Sequence, residues 1–326
     1  MEMFSRRIVL FFFIILLIGG LLFWGLPEGP WREGDPSETK IGAKAQQNKL
    51  GIELEKEHPY GKPIPEKTRL WWENDPDFQS LCLRHQATVR RGAFQTTLPD
   101  PLPGEEHNVQ LAASIIAGKV VNPGEVFSTN MAIGPRTTER NFQKGPAYYG
   151  SQVIQTVGGG ICKIASTLYN VAILADLEIV ERWPHSMLVP YVPPGQDATI
   201  AAYKDFRFRN NTGFPLIIWA ESKDQTLYIA FYGKERPPKV IWQHEILGRW
   251  DYQTIYRKND QLKPGEERVI IPGAEGMRVR SWLTIEAPTG EKTIKKRGVD
   301  YYYPLAQVVE RNPGKRAKKL GTIDRH

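Results

Sequence analysis

Residues 8–26, IVLFFFIILLIGGLLFWGL, run for nineteen positions without a charge. At a helical rise of about 1.5 Å per residue, such a run nearly spans a hydrocarbon core of ~30 Å. Arg6 and Arg7 precede it and, by the positive-inside bias, hold the N-terminus in the cytoplasm. Trp24 and Trp31 suit the far interface. No small-x-small cleavage site follows Leu26, so the segment reads as an uncleaved anchor rather than a cleaved signal peptide. The expectation is a single-pass protein of the cell membrane, attached through residues 8–26, with its folded domains extracytoplasmic. Nucleic acid is then a poor partner.

The remainder must supply the folded body. A chain of 326 residues suggests two domains at about 150 residues each. Hydrophobic residues at 41% and charged residues at 24% exclude full disorder and coiled coil. Twenty-nine glycines and 25 prolines imply many turns and a β-rich body. The net charge of +7 favours anionic surfaces such as phosphate polymers, membranes or nucleic acid, and the sign alone does not choose among them. Two cysteines, Cys82 and Cys162, exclude a disulfide-rich scaffold and a four-cysteine zinc module, but leave one Cys82–Cys162 bridge open.

Composition divides the chain into a transmembrane signal anchor (1–26), a tether with a lead-in segment (27–104), an α+β domain (105–235), a β-rich module (236–310) and a basic tail (311–326). The tether extends to about residue 68; from 69 the lead-in contains LWW, CLRH and TLPDPLPG. Val109, Ala112, Ala113 and Ile116 predict a helix over 107–117, with Gly118 as its stop. Residues 120–127 read as strand, turn, strand. Phe214–Ala220 and Thr226–Tyr232 predict a β-hairpin. Met277, Val279, Ser281, Leu283 and Ile285 alternate with Arg278, Arg280, Trp282 and Thr284, the period of a half-buried strand. The tail from Arg311 reads as a solvated end, or as a contact for anionic wall polymer or membrane surface.

The chemistry concentrates around Cys162. Gly158, Gly159 and Gly160 end a loop, and Ile164, Leu168, Val171, Ala172 and Ala175 then mark one face of a helix. Cys162 falls in its first turn, where the helix dipole and unpaired N–H groups favour a thiolate. The glycines allow a tight turn and close substrate approach. A thiolate nucleophile calls for a base and an orienting group. His185 and then Asp197 follow, each expected on a strand, with Asp205 as a rival for the acid. Taken singly, a lone Cys packs in a core, a lone His is structural and a lone Asp sits in a turn. Arg136, Glu139 and Arg140 read as solvating a turn, or as lining a polar groove. Cys82 and His85 have metal-ligand spacing but form half a site, so no metal or cofactor is expected. The order of Cys at a helix start, then His, then Asp is similar to that of transglutaminase-like and papain-like hydrolases.

Several motifs carry a resemblance: Pro123-Gly124-Glu125-Val126-Phe127-Ser128-Thr129-Asn130, Gly134-Pro135-Arg136-Thr137, Gly158-Gly159-Gly160-Ile161-Cys162 and Ser166-Thr167-Leu168-Tyr169-Asn170. Glu181-Arg182, His185-Ser186, Asp197-Ala198-Thr199 and Asp205 through Asn210-Asn211 continue it. Over 105–235 the chain resembles the VanW family, named after an accessory gene of vancomycin-resistance clusters. The resemblance implies a bacterial envelope setting and a link to peptidoglycan, not a reaction. The family usually has Gln after the Cys where this chain has Lys163, which could support the thiolate instead. Residues 236–310 resemble small β modules that follow such domains in surface proteins, implying amino-sugar binding. The expected function is cysteine-dependent acyl transfer, hydrolysis or transpeptidation, on peptidoglycan stem peptides. Cys162, His185 and Asp197 would be catalytic, with Gly158, Gly159, Gly160, Lys163 and Asp205 on the substrate side. The alternative is a non-catalytic protein that binds wall glycan or peptide through the same groove.

Overall fold

Strands account for most of the regular structure in the computed structural model, which describes residues 59–98, 101–149 and 152–314. The apolar run 8–26, most of the tether and nearly all of the basic tail lie outside the described residues. Among the described residues no helix is long and apolar enough to cross a membrane.

In chain order the strands begin with β1 (Gly61–Pro63), β2 (Val89–Thr97), β3 (Lys119–Val121), β4 (Val126–Ser128), β5 (Lys144–Tyr149) and β6 (Gln152–Val157). They continue with β7 (Glu178–Glu181), β8 (Arg207–Arg209), β9 (Leu216–Lys223) and β10 (Thr226–Gly233). The helices are α1 (Pro76–Arg84), α2 (Glu105–Ile116), α3 (Thr129–Ile133) and α4 (Cys162–Leu174). The central sheet has the order β1-β2-β10-β9-β3. Segment 69–104, read as a lead-in, thus supplies an interior strand, and residues 61–63 of the expected tether form an edge.

The predicted hairpin is β9–β10. Lys223 pairs with Thr226, and Asp224 and Gln225 turn the chain at φ of 50° and 60°. Two left-handed residues match the right-handed twist of the strands they join. Alternation along β10 then serves two cores. Leu227, Ile229 and Phe231 face the main core with α2 and α4, whereas Ala230 and Tyr232 face a second cluster with Trp72, Phe78 and Cys82. The helix expected over 107–117 is α2, whose buried Val109, Ala112, Ala113 and Ile116 are the predicted stripe. The strand-turn-strand at 120–127 also forms, but β3 joins the central sheet whereas β4 pairs with β8 in a second one.

The C-terminal module contains β11 (Lys239–Trp250), β12 (Thr254–Lys258), β13 (Glu267–Ile271), β14 (Gly276–Glu286), β15 (Lys292–Tyr302) and β16 (Gln307–Arg311). One sheet orders them β11-β14-β15, the other β12-β16-β13. The alternating residues of 277–285 lie on β14, all five inward-facing ones being buried. The module is not isolated. Leu283 and Ile285 belong to the main core, and Val240 and Trp242 pack against it.

Candidate active site

Helix α4 begins at Cys162 and is buried on nearly every side, from Lys163 to Ile173. The single apolar face expected from the sequence is thus too narrow a reading. Ser166, Thr167 and Asn170 are buried too, and their hydrogen bonds explain why. Thr167 Oγ1 bonds back to the Lys163 carbonyl at 2.7 Å and meets Thr96 Oγ1 of β2 at 2.8 Å. Ser166 Oγ donates to the Ala198 carbonyl (3.1 Å) and accepts from the Ala198 N–H (2.9 Å). Asn170 Nδ2, one turn on, donates to the Gln196 carbonyl at 2.7 Å. Positions i and i+4 share a helix face, so this pair grips residues 196–198 and sets Asp197 between them.

His185 and Asp197 do not lie on strands, contrary to expectation. Both belong to the irregular segment 182–200 between β7 and β8. Pro184, Pro190, Pro193 and Pro194 lack the N–H groups a strand ladder requires. Much of this segment is nevertheless buried, and side chains satisfy its backbone in place of a ladder. Thr199 N–H also donates to the Trp183 carbonyl at 2.8 Å, joining the two ends of the loop.

The segment brings the predicted residues together. His185 Nδ1–H donates to Asp197 Oδ2 at 2.8 Å, and the His185 backbone N–H donates to the same oxygen at 2.6 Å. His185 is 5% exposed and Asp197 1%. The thiol of Cys162 interacts electrostatically with the His185 ring and lies 3.5 Å from the Ile200 carbonyl. With Nδ1 committed to Asp197, Nε2 is the ring nitrogen that can exchange a proton with the sulfur.

Electrostatics favour an ion pair. Burial opposes the Cys162 thiolate, but the His185 hydrogen bond and charge, the Ile200 contact and the Arg136 cation together hold the thiol below its ordinary value. Burial likewise opposes the imidazolium, yet bonds to Asp197 and Cys162 push His185 up to about 9. Asp197 is held well below the usual carboxylate range. Burial resists this, and Arg182, His185 and the Tyr302 hydroxyl outweigh it.

The other expected site residues have different surroundings. Lys163 is buried, and its ammonium reaches the Gln225 carbonyl at 3.3 Å. Burial lowers it to about 8 against the attraction of Glu105 and Glu106. The ammonium thus contacts the β9–β10 turn. Asp205 accepts from the Asn130 and Phe206 N–H groups (2.9 and 2.8 Å) and from Ser128 Oγ (2.5 Å), thereby organising the start of α3. Of the three glycines, Gly159 is the most constrained: a Cβ there would collide with the Gly145 backbone. Gly158 packs on Arg136 and Gly160 on Glu105, so this turn is shaped by contact with the chain itself.

Both cysteines are free thiols, so the bridge left open by the sequence does not form. Arg136, read from the sequence mainly as a turn solvator, acts electrostatically on Cys162 and Asp205 and donates to Asn130 Oδ1 at 2.5 Å. Arg182 and Tyr302 were not singled out as site residues. Arg182 Nη2 donates to Asp197 Oδ1 at 2.9 Å and its Nε to the Asp197 carbonyl at 2.7 Å. Glu181-Arg182 stood among the resemblance motifs, a usable signal for Arg182. Tyr302 lies in a run of three tyrosines that gave none.

Residues 104–232 match the family described as "VanW like protein", so the chain carries a VanW-like domain. Among curated proteins, it is 37% identical to the uncharacterized protein YoaR of Bacillus subtilis (strain 168) over 161 residues, 49% of this chain and 53% of that one. It is 24% identical to the vancomycin B-type resistance protein VanW of Enterococcus faecalis (strain ATCC 700802 / V583) over 174 residues, 49% of this chain and 63% of that one. The chain thus spans about half to three fifths of the length of these relatives. Among solved structures, the IgA1 protease G5 domain aligns at 21% identity and a TM-score of 0.16, over 25% of this chain and 98% of that one. The HP0197-G5 structure aligns at 9% identity and a TM-score of 0.14, over 22% and 97%.

Proposed function

We propose that this chain is a cell-envelope enzyme that performs cysteine-dependent acyl transfer on the stem peptides of peptidoglycan. The observation that carries the reading is the Cys162–His185–Asp197 alignment, a half-buried cysteine beside a buried imidazole that a carboxylate orients. The VanW-like domain supports the envelope setting, and the name of its enterococcal relative supports the wall as substrate. The proposed chain order of roles, a helix-start Cys, then His, then Asp, is that of transglutaminase-like hydrolases, although here an irregular segment carries the last two. Residues 8–26 would anchor the chain with its domains on the outer side.

In the reaction, the Cys162 thiolate attacks the carbonyl carbon of a stem-peptide amide. The oxyanion is stabilised by N–H groups at the start of α4. Lys163 and Ile164 N–H already close onto the Gly160 and Ile161 carbonyls, which leaves Ile161 and Cys162 as the donors. The C–N bond breaks, the amine departs with the proton from His185 Nε2, and an acyl thioester remains on Cys162. Water or an acceptor amine then attacks the thioester, giving its proton to His185, and the thiol is regenerated. Hydrolysis and transpeptidation differ only in that second nucleophile.

The test is intact-mass analysis of the full chain incubated with purified stem peptides. An acyl adduct on Cys162, lost in Cys162→Ala, is the expected result. No adduct, together with retained peptide binding in Cys162→Ala, would instead make this a wall-binding protein without chemistry. Trp250, Tyr301 and Tyr303 favour that second role for the module, since they form a connected exposed aromatic cluster with ring centroids 4.9 and 4.7 Å apart.

A further inference from the structure

Strand β15 ends with residues of opposite environment. Tyr301 is exposed, whereas Tyr302 is 1% exposed and points inward, as the period of a strand requires. The inward hydroxyl does not end in an apolar core. It donates to Asp197 Oδ1 at 2.5 Å and accepts the Gly195 N–H at 2.7 Å. Two residues earlier on the strand, Asp300 takes both of its oxygens to Arg182 Nη1, at 2.6 and 2.7 Å. Arg182 in turn donates to Asp197 Oδ1 and to the Asp197 carbonyl. Asp197 Oδ1 thus has two donors, one a side chain of the C-terminal module and the other an arginine which that module clamps. The Tyr303 N–H also bonds to the Ser186 carbonyl at 2.7 Å, tying the same strand end to the residue after His185. Gly195 lies at φ 86°, and any Cβ there would strike Ser281 Oγ of β14, so backbone and module meet without room for a side chain.

We infer that Tyr302 is a positioning residue for the cysteine site: together with Arg182, held by Asp300, it fixes Asp197 Oδ1 so that Oδ2 stays on His185 Nδ1. The inference rests on the acyl-transfer reading and deepens it, because the site is then complete only when the module is docked. Tyr302 lies well outside residues 104–232, and 105 positions from Asp197. A VanW-like domain without this strand would hold Asp197 Oδ1 by Arg182 alone. Among the described residues, Cys162 faces His185 and Arg136, His185 faces Cys162 and Asp197, Asp197 faces Arg182 and Tyr302, and Asp300 faces Arg182, Asp197 and Arg297.

The sign of one measurement decides between positioning and mere charge damping. The phenol donates to Asp197, so its removal alone makes the carboxylate more basic and draws the His185 proton more strongly. That would move the acid limb of Cys162 reactivity to lower pH. Loss of positioning does the reverse, because a rotated carboxylate supports the imidazolium less. The experiment is iodoacetamide labelling of Cys162 against pH in the full chain, read site by site by peptide mass spectrometry. Tyr302→Phe should shift the acid limb upward and slow labelling about three- to tenfold on that limb. In an Asp197→Asn background the same substitution should add nothing further, since its route is gone. Asp300→Asn, which keeps the Tyr302 ring, should shift the limb the same way and serves if Tyr302→Phe fails to fold. An unchanged or downward limb in the folded variant overturns the inference. A Cys162 that is inert in the unsubstituted chain instead overturns the acyl-transfer reading, and this inference with it.

Discussion

The two cysteines occupy opposite ends of two helices and have opposite chemistry. Cys82 lies in the last turn of α1, 4% exposed, in the cluster of Trp72, Phe78 and Tyr232. Burial, with Glu73 nearby, pushes its thiol up to about 11. Cys162 lies at the first residue of α4, partly exposed, with His185 and Arg136 acting to lower it. Burial opposes ionisation at both, so it does not distinguish them. The difference is that one thiol faces a carboxylate and the other an imidazolium and a guanidinium.

The largest expected effect is the contrast itself. At pH 7 the ordinary thiol ionises by a few per cent, and one raised to about 11 by roughly one part in 10⁴. Alkylation of Cys162 should therefore outpace that of Cys82 by about 10³-fold or more in the native chain, and strong denaturant should bring the two rates together. Equal native rates, followed by site-resolved mass spectrometry, would break the comparison. Next in size is His185→Ala, which should slow Cys162 labelling at pH 7 at least about 30-fold as the thiol returns toward ~8.5, while leaving Cys82 unaffected.

Stability should follow the same pair. His185 is raised from 6.5 to about 9, so its contribution is full below pH 6.5 and is lost as pH rises through 9. In a Cys162→Ser background, which removes the opposite contribution of the lowered thiol, adding His185→Asn should cost most unfolding free energy at pH 6.5, and the gap should narrow by pH 9.5 in urea titrations. A gap that widens over this interval contradicts the His185–Asp197 ion pair. Arg136→Gln should slow Cys162 labelling by only about threefold, the effect of one nearby cation with no proton to exchange. Cys82→Ser should leave Cys162 labelling unchanged and lower stability by about 1–3 kcal/mol through a poorly paired buried hydroxyl.

Much of this was legible in the sequence, for local reasons. Period-two alternation exposed β14 and helical spacing exposed α2, because burial of one face is written directly into residue order, while two apolar runs around a short polar turn exposed the β9–β10 hairpin. Three glycines before an apolar helix marked where Cys162 would sit. The chain order Cys162, His185, Asp197 was readable too. Segment 182–200 reads as strands from its apolar residues, but its four prolines deny it a ladder and leave it to be held by Ser166, Asn170 and Arg182.

The sequence by itself therefore determined the helix start that carries the thiol, the residues able to serve it, and strands such as β9, β10 and β14, since each depends on neighbours a few positions away. Tertiary structure decided which carboxylate meets His185: Asp205 turns to the start of α3, and Asp197 is gripped by α4. It also decided that Lys163 reaches the Gln225 carbonyl and that Tyr302 closes on Asp197. These are contacts between segments tens to more than a hundred residues apart. Their geometry comes from how the sheet, α4 and the module pack together, and no local pattern of residues encodes that packing.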